Sequence, residues 1–389
     1  MKLPDLSEER SELGRSLLAR GAITAAWMDA FEAVPRSAFL PEVMWPYDMA
    51  AGTHVAVDLR QEPGLWFQYA DADVPIVTQW DDGKPSGEGV RVPTSSASMP
   101  SVVFRMLRDL DVQAGHTVLE IGTGTGWNAG LLAHRLGVDS VTSIDIDANV
   151  ADAARDHLAA QELLGVVLTR DGALGDPSGA PYDRVIATAG IRTVPPEWIA
   201  QTRPGGVIVA PWGTHFSNSD AIVRLRADNA EASGRFTGPV EFMKLRSQRL
   251  PFEGHDAYLE EGMAGAKRST TDVTEGELLG EGRFDPRTFA IGLRVRDCHR
   301  VVAEKRDGAR PMWFYGLKDR SWACVMFRDG RLEADVWQEG PRRLWDEVRE
   351  ALGWWHGADQ PDFERFGLTA AMDGSQRAWL DSPENAWPV

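Results

Sequence analysis

At 389 residues, the chain is longer than one hydrophobic core usually requires, so its length favours two domains or one large domain with an appendage. A formal net charge of −17 argues against a nucleic-acid partner, because phosphate binding needs clustered lysine and arginine. The two cysteines, Cys298 and Cys324, are too few for a disulfide scaffold, and the eight histidines never pair at the spacing of metal ligands. We therefore predict no metal site.

Apolar runs in the sequence are short. Residues 2–10 lack the apolar centre of a signal peptide, and no stretch of about 18 apolar residues occurs. These patterns predict a cytoplasmic protein that has no membrane partner. We also expect it to be a monomer.

The first predicted element is a helical cap. Across residues 11–39, apolar residues recur at helical spacing until Pro35 interrupts them. Residues 44–94 are irregular, and helical spacing returns in residues 98–110. We assign residues 1–110 to an N-terminal helical cap and substrate-side segment.

Strands and helices alternate in the next part of the chain. The predicted strands are residues 117–121, 140–144, 166–169, 182–188 and 206–211, and the predicted helices are residues 128–136, 150–163 and 195–201. This alternation predicts βαβ units and a doubly wound parallel sheet of the Rossmann-like α/β class. A ligand of such a sheet lies at the carboxyl ends of the strands. We assign residues 111–249 to this core.

The composition changes after residue 249. Tryptophan is frequent beyond Arg300, at positions 313, 322, 337, 345, 354, 355, 379 and 387. We expect strands at residues 289–295 and 321–327 and a helix at residues 341–352, and we assign residues 250–389 to a C-terminal α+β module. A single tryptophan more often fills a core than binds a ligand, but Trp354, Trp355 and Trp379 are candidates for peptide recognition.

A glycine-rich loop follows the first core strand. Gly122, Gly124 and Gly126 stand between that strand and a helix, where glycine permits close backbone approach and the helix N-terminus offers unpaired N–H groups to a charged ligand. The GxGxG spacing lacks one residue of the dinucleotide-binding GxGxxG pattern, so a nicotinamide-dependent oxidoreductase is the weaker interpretation. The alternative without a ligand is a helix that simply packs on the sheet through these glycines.

Acidic residues accompany this loop in the order that a nucleoside cofactor requires. Glu120 precedes the loop and can pair with a cationic amino-acid group, and Asp145 ends the second strand, where a carboxylate can hold two ribose hydroxyls. Asp171 and Gly172 follow the third strand and can reach an adenine edge. Together they predict S-adenosylmethionine as the cofactor, whereas Asp147 is interpreted as a solvated loop charge. A binding scaffold without activity would be expected to have lost some of these residues.

Several segments resemble the protein-L-isoaspartate O-methyltransferase family. They are residues 118–128, Asp145, and residues 170–172, 182–190 and 201–211, and the likeness extends from about residue 11 to about residue 249. The resemblance implies the S-adenosylmethionine-dependent methyltransferase fold, with S-adenosylhomocysteine as product. The candidate cofactor-binding residues are Glu120, Gly122, Thr123, Gly124, Gly126, Asn128, Asp145, Ile146, Asp171, Gly172 and Thr188.

Members of this family carry a threonine, an apolar residue and an active-site serine before the first core helix, and residues 94–99 match that stretch. The match makes Ser96 the active-site serine, with Ser95 and Thr94 as further catalytic candidates. Ser98 and Met99 depart from the family's proline and its histidine or tyrosine. Because an aspartate carboxylate is already an anion at neutral pH, the hydroxyls would orient it and need not deprotonate it. Without the resemblance, these hydroxyls would be interpreted as loop or helix-capping groups.

Two functions share this chemistry. Repair enzymes of the family methylate L-isoaspartyl carboxylates in damaged proteins, whereas an actinobacterial branch methylates an ordinary aspartate in ribosomally synthesised, modified peptides. The substrates of that branch are lanthipeptides, lasso peptides or graspetides, and the products are aspartimide or isoaspartate. The C-terminal module, the departure at Ser98 and Met99, and the richness in Ala, Arg, Gly, Asp and Trp favour this branch. We therefore predict an O-methyltransferase acting on a modified precursor peptide, with protein repair as the alternative.

Overall fold

The computed structural model describes residues 6–84, 91–250, 252–260 and 262–389, so residues 1–5 and 85–90 of the predicted N-terminal segment lie outside the described residues. The helices are α1 (Leu6–Ala19), α2 (Ala25–Ala33), α3 (Pro63–Ala70), α4 (Pro100–Leu110), α5 (Trp127–Leu136), α6 (Ala148–Ala160), α7 (Pro196–Gln201), α8 (Glu275–Leu279), α9 (Pro286–Arg294) and α10 (Leu344–Gly357). The strands are β1 (Val43–Asp48), β2 (Thr53–His54), β3 (Val57–Asp58), β4 (Ile76–Trp80), β5 (Pro93–Ala97), β6 (Val118–Ile121), β7 (Val141–Asp145), β8 (Val166–Thr169), β9 (Tyr182–Ala187), β10 (Thr202–Trp212), β11 (Asp220–Ala227), β12 (Glu231–Val240), β13 (Lys267–Thr271), β14 (Cys298–Val302), β15 (Ala309–Gly316), β16 (Trp322–Arg328), β17 (Ala334–Glu339), β18 (Phe366–Ala371), β19 (Gln376–Leu380) and β20 (Ala386–Pro388).

The central sheet of the described molecule has ten strands in the order β20-β19-β18-β12-β11-β10-β9-β6-β7-β8. The strands from β8 to β10 in this order pair in parallel, and those from β10 to β20 pair antiparallel. The predicted Rossmann-like α/β class is therefore confirmed, and the sheet is mixed because antiparallel strands extend its parallel half. Because β6 lies between β7 and β9, the chain order reverses beside it, and its carboxyl end is the switch point where such sheets bind ligands.

A smaller sheet on the N-terminal side carries the candidate catalytic residues. It has the order β2-β1-β4-β5, with β3 pairing with β1. β4 and β5 form a hairpin in which Val77 lies opposite Ser96, and Gln79 lies opposite Ser95. Helix α1, helix α2 and a helical turn form the helical cap that was predicted from residues 11–39. None of the described helices combines the length and apolar character needed to cross a bilayer.

The predicted strand at residues 289–295 is wrong, because this segment lies in helix α9. Asp285 caps the helix by accepting the backbone N–H of Arg287, and Pro286 occupies its first turn. Phe289 and the next two residues form a short apolar run and are all buried, and periodicity alone does not distinguish such a run from a buried strand. The predicted strand at 321–327 and helix at 341–352 are confirmed as β16 and α10, with shifted ends.

Residues on both sides of the predicted boundary at 249 share one hydrophobic core. β18 extends the central sheet by pairing with β12. The ring of Phe289 lies 4.9 Å from that of Phe236 in β12 and 6.4 Å from that of Trp212 in β10, measured between centroids. The ring of Phe289 also lies 5.2 Å from the ring of Phe363. The remaining C-terminal strands form an antiparallel sheet in the order β13-β17-β16-β15-β14.

A carboxylate lies at the centre of the parallel strands. The side chain of Glu120 in β6 is fully buried, and its Oε1 accepts a hydrogen bond from Asn128 Nδ2 at 2.6 Å. Its Oε2 accepts from the hydroxyl of Ser143, the residue opposite it in β7. Burial raises the pKa of Glu120 to about 7, because the two hydrogen bonds offset only part of the cost of removing the charge from water.

The shared core yields a stability prediction. Phe289→Ala should lower the free energy of unfolding by about 3–5 kcal/mol, the range for removing a buried phenylalanine ring. Urea unfolding followed by tryptophan fluorescence measures this change. Phe284→Ala is the matched control, because Phe284 is 45% exposed, and it should change stability by about 0.5 kcal/mol or less. Equal stability of the two variants would contradict the packing role of Phe289.

The burial of Glu120 yields a pH prediction. In the folded protein Glu120 keeps a proton that it releases above about pH 4.5 in the unfolded chain. The contribution of this proton to the free energy of unfolding is therefore complete at lower pH and is lost as the pH rises to about 7. Glu120→Gln should remove this loss. From about pH 4 to about pH 8, the unfolding free energy of the parent should therefore fall by about 3 kcal/mol relative to the variant. Parallel pH profiles in urea unfolding would contradict the raised pKa.

Candidate active site

A cleft lies at the carboxyl ends of β6, β7 and β9, at the switch point of the central sheet. Its empty volume is about 1030 Å³, including the space at its open mouth. The predicted site residues that line it are Thr94, Ser95, Ser96, Gly122, Thr123, Gly124, Asn128, Asp145, Ile146, Asp171, Gly172 and Thr188. Two predicted residues do not line it: Glu120 lies beneath the loop, and Gly126 packs against Ala154 of α6.

The N–H groups of all three glycines of the glycine-rich loop are hydrogen-bonded within the protein. Gly122 N donates to a backbone carbonyl of β7 at 2.7 Å, and Gly126 N donates to Thr123 O at 2.9 Å. Gly124 N donates to Asp145 Oδ2 at 2.9 Å. The three glycines therefore use their own N–H groups within the protein, and the expectation that the N-terminus of α5 offers N–H groups to a ligand stays a prediction. All three have positive φ, which glycine adopts without strain, so their contribution is the tight shape of the loop.

Asp145, at the end of β7, and Asp147, two residues later, have different surroundings. Asp145 Oδ1 accepts the N–H of Asp147 at 3.0 Å, and burial raises the pKa of Asp145. Asp147 is not the solvated charge that we expected, since only 9% of it is exposed. It caps α6 by accepting the N–H groups of Asn149 and Val150. The preference of aspartate for the N-cap position was the signal in the sequence.

The three catalytic candidates on β5 differ in what their hydroxyls bind. Thr94 Oγ1 donates to Gln79 Oε1 at 2.8 Å, and the Ser95 hydroxyl accepts from Thr78 Oγ1 at 3.3 Å. Both groups thereby hold the β4–β5 hairpin together. The Ser96 hydroxyl has no hydrogen-bond partner in the described part of the chain. Of the three, Ser96 is therefore the hydroxyl that the fold leaves available in the cleft.

Another wall of the cleft comes from residues 242–246 and Arg249, which no sequence motif marks. Gly190 N donates to Met243 O at 2.8 Å, and Leu245 N donates to Gly190 O at 2.9 Å. These bonds place the segment alongside the chain that leaves β9. The segment follows β12 directly, so its position depends on strand pairing that a local pattern does not reveal.

Ion pairs fasten this segment to the other walls. Arg246 lies 3.1 Å from Asp82 and 2.7 Å from Asp147, measured between nitrogen and oxygen atoms. Arg249 donates to both oxygens of Asp82 at 2.9 Å, and these hydrogen bonds lower the pKa of Asp82. Gln79 Nε2 donates to Asp147 at 3.2 Å. The β4–β5 hairpin, the β7–α6 loop and residues 242–249 thus form one connected rim.

The tryptophans that we considered for peptide recognition are used for packing. Trp355 and Trp379 are each 3% exposed, and the indole N–H of each is hydrogen-bonded, to Pro361 O and Thr369 Oγ1 respectively. The ring of Trp354 lies 4.9 Å from the guanidinium of Arg294. Trp355 and Trp379 therefore do not offer a free aromatic surface, whereas Trp354 is partly exposed.

Chemically, the cleft combines carboxylates, a tight glycine loop and an available hydroxyl. Among the described residues, no group of three or more histidine, cysteine, aspartate or glutamate side chains is placed to hold a metal ion. Asp145 and Asp171 can accept hydrogen bonds from a nucleoside, and Ser96 can orient an anionic acceptor.

Comparison with known proteins agrees with this chemistry. The model of the family "Protein-L-isoaspartate(D-aspartate) O-methyltransferase (PCMT)" matches residues 68–250. A protein-L-isoaspartate O-methyltransferase of Methylorubrum extorquens is 33% identical over 245 residues, which are 62% of this chain and 90% of the relative. Another, from Anaeromyxobacter dehalogenans, is 39% identical over 183 residues, covering 46% of this chain and 83% of the relative.

A solved structure described as a protein-L-isoaspartate O-methyltransferase resembles this chain over nearly its whole length. It has a TM-score of 0.53 and 19% sequence identity, and the match covers 96% of this chain and 100% of the other. At this identity the match establishes a shared fold, which includes the C-terminal residues. The shared fold, the switch-point cleft and the sequence relatives lead to one assignment. The chain belongs to the protein-L-isoaspartate O-methyltransferase family and is an S-adenosylmethionine-dependent methyltransferase.

Proposed function

We propose that this protein methylates the carboxylate of an L-isoaspartyl residue in a protein or peptide. The available Ser96 hydroxyl, in the same cleft as Asp145 and the glycine-rich loop, carries the proposal. The relatives that match the core are named for this activity. The cleft is partly open, so a side chain on a polypeptide can enter it from solvent.

Several residues of the cleft fit S-adenosylmethionine. Asp145 uses one lone pair on each oxygen for a backbone N–H, which leaves acceptor capacity for two ribose hydroxyls. Asp171 and Gly172 lie on the side expected for the adenine, and Thr188 holds the loop by donating to Gly122 O. We assign Glu120 to the support of this loop through Asn128. When bound, S-adenosylmethionine supplies a sulfonium methyl group that an anionic oxygen can attack.

The protein's part in the reaction is to position the acceptor. A carboxylate is already ionised at neutral pH, so no general base is needed. The Ser96 hydroxyl donates to one carboxylate oxygen and thereby directs the other oxygen towards the methyl group. Thr94 and Ser95 keep Ser96 in place through their bonds across the hairpin.

The second candidate is methylation of an ordinary aspartate in a ribosomally synthesised, modified peptide, with aspartimide as the later product. Ser98, which departs from the family pattern, lines the cleft and supports this candidate. The C-terminal module no longer distinguishes the two functions, because the solved structure described above shares the fold over 96% of this chain. A role of residues 250–389 in peptide recognition belongs to this second candidate.

The cofactor assignment predicts the effect of a single substitution. Asp145→Asn should weaken S-adenosylmethionine binding by about tenfold or more, because an amide replaces a charged acceptor with a neutral one that presents fewer lone pairs. Isothermal titration calorimetry measures the dissociation constant. Asp139→Asn, at an exposed position before β7, is the control and should bind like the parent. Equal affinity of the two variants would refute the role of Asp145.

The acceptor assignment is tested with two peptides of one sequence, containing either an L-isoaspartyl or an aspartyl residue before glycine. Transfer of labelled methyl groups should occur to the isoaspartyl peptide. Ser96→Ala should lower kcat by about tenfold or more while leaving S-adenosylmethionine affinity unchanged, because one oriented hydrogen bond to a charged acceptor is lost.

Ser101→Ala is the control for this assay, because Ser101 lies in the first turn of α4 and does not line the cleft. Full activity of Ser96→Ala would contradict its role. Methylation of the aspartyl peptide alone, or of neither peptide, would contradict the proposed function and favour a modified peptide as substrate.

A further inference from the structure

A buried ion pair lies at the wall of the same cleft. Lys244 lines the cleft and donates a hydrogen bond to Asp220 Oδ2. The side chain of Lys244 is 8% exposed and that of Asp220 is 0% exposed. Asp220 is the first residue of β11, and Lys244 belongs to the segment that runs alongside Gly190.

The pair has unused hydrogen-bonding capacity. An ammonium group carries three donors, and Asp220 receives one of those of Lys244. The other oxygen of Asp220, Oδ1, is buried without a hydrogen-bond partner among the described residues. The other cations of the cleft wall differ, because Arg246 and Arg249 are already paired with aspartates of the rim.

Such a pair is costly to bury. Burial lowers the pKa of Lys244 and raises that of Asp220, so both groups lose solvation that their mutual attraction only partly restores. Apolar side chains of similar volume would fill this space at lower cost. An anionic acceptor also approaches a protein with a net charge of −17, which a cation in the cleft helps to offset.

We propose that the Lys244 ammonium, held in place by Asp220, binds the acceptor carboxylate and makes the site select a carboxylate over a neutral group. This inference rests on the proposed function, because it names the residue that recognises the isoaspartyl carboxylate. A carboxylate oxygen has two lone pairs, so Lys244 and Ser96 can both donate to the oxygen that does not attack.

Asp220 acts as a positioning residue in this arrangement. Asp220 orients the Lys244 ammonium and neutralises part of its positive charge. The acceptor carboxylate therefore meets a cation whose charge is already partly compensated. Tight stabilisation of the ground-state carboxylate would lower its reactivity, because catalysis depends on interactions that favour the transition state over the ground state.

The test compares two ligands on each protein variant. One is the isoaspartyl peptide, and the other is the same peptide with that carboxyl group converted to a primary amide. Their dissociation constants are measured on protein saturated with S-adenosylhomocysteine. The parent should prefer the carboxylate, and Lys244→Met should reduce this preference by about 10- to 100-fold, the range for losing a hydrogen bond between charged groups. A purely structural role would weaken binding of both peptides alike.

Lys305→Met is the matched control, because Lys305 pairs with Asp329 at the surface, away from the cleft. It should keep the parent's preference. An unchanged preference in Lys244→Met would overturn the role of Lys244. If Lys244→Met does not fold, the double variant Lys244→Met, Asp220→Leu replaces the pair by apolar groups, and the same measurement applies to it. A parent protein that does not methylate the isoaspartyl peptide would instead refute the proposed function.

Discussion

The shape of the cleft depends on Arg246. Its guanidinium contacts Asp82 in the β4–β5 hairpin and Asp147 at the start of α6, so one side chain joins three segments that are far apart in the sequence. The hairpin carries Ser96, and Asp145 is the last residue of β7, directly before the loop that leads to α6. A change in this contact would therefore alter the distance between Ser96 and Asp145 across the cleft. Arg246 is 27% exposed, so salt and water moderate the strength of both pairs.

The core of the fold was predictable because its signals are local. The five core strands are short apolar runs, and each was located from its own residues. The extension of the central sheet by β18, β19 and β20 was not predictable, since pairing between β12 and β18 joins residues that no short pattern relates. Helix α9 was mistaken for a strand because periodicity alone does not distinguish a short buried apolar run in a helix from one in a strand.

The residues of the site also differ in whether the sequence could predict their proximity. Asp145 ends a parallel strand, and Asp171 and Thr188 follow two others. The carboxyl ends of such strands meet at one edge, so the proximity of these residues follows from the fold class. Lys244 and Asp220 meet through antiparallel pairing and through the contact with Gly190, which no motif indicates. The resemblance to the family identified Ser96, but only the hydrogen bonds of Thr94 and Ser95 distinguish it from its neighbours.

The pairing of β12 with β18 also affects how the protein is made. A ribosome completes β12 at Val240 long before it adds Phe366, so the growing chain carries an open strand edge during that interval. Exposed edges can pair with other chains, and contacts between distant residues form slowly. The nascent protein therefore passes through a stage in which its methyltransferase core is largely synthesised but its sheet is not yet closed at this side.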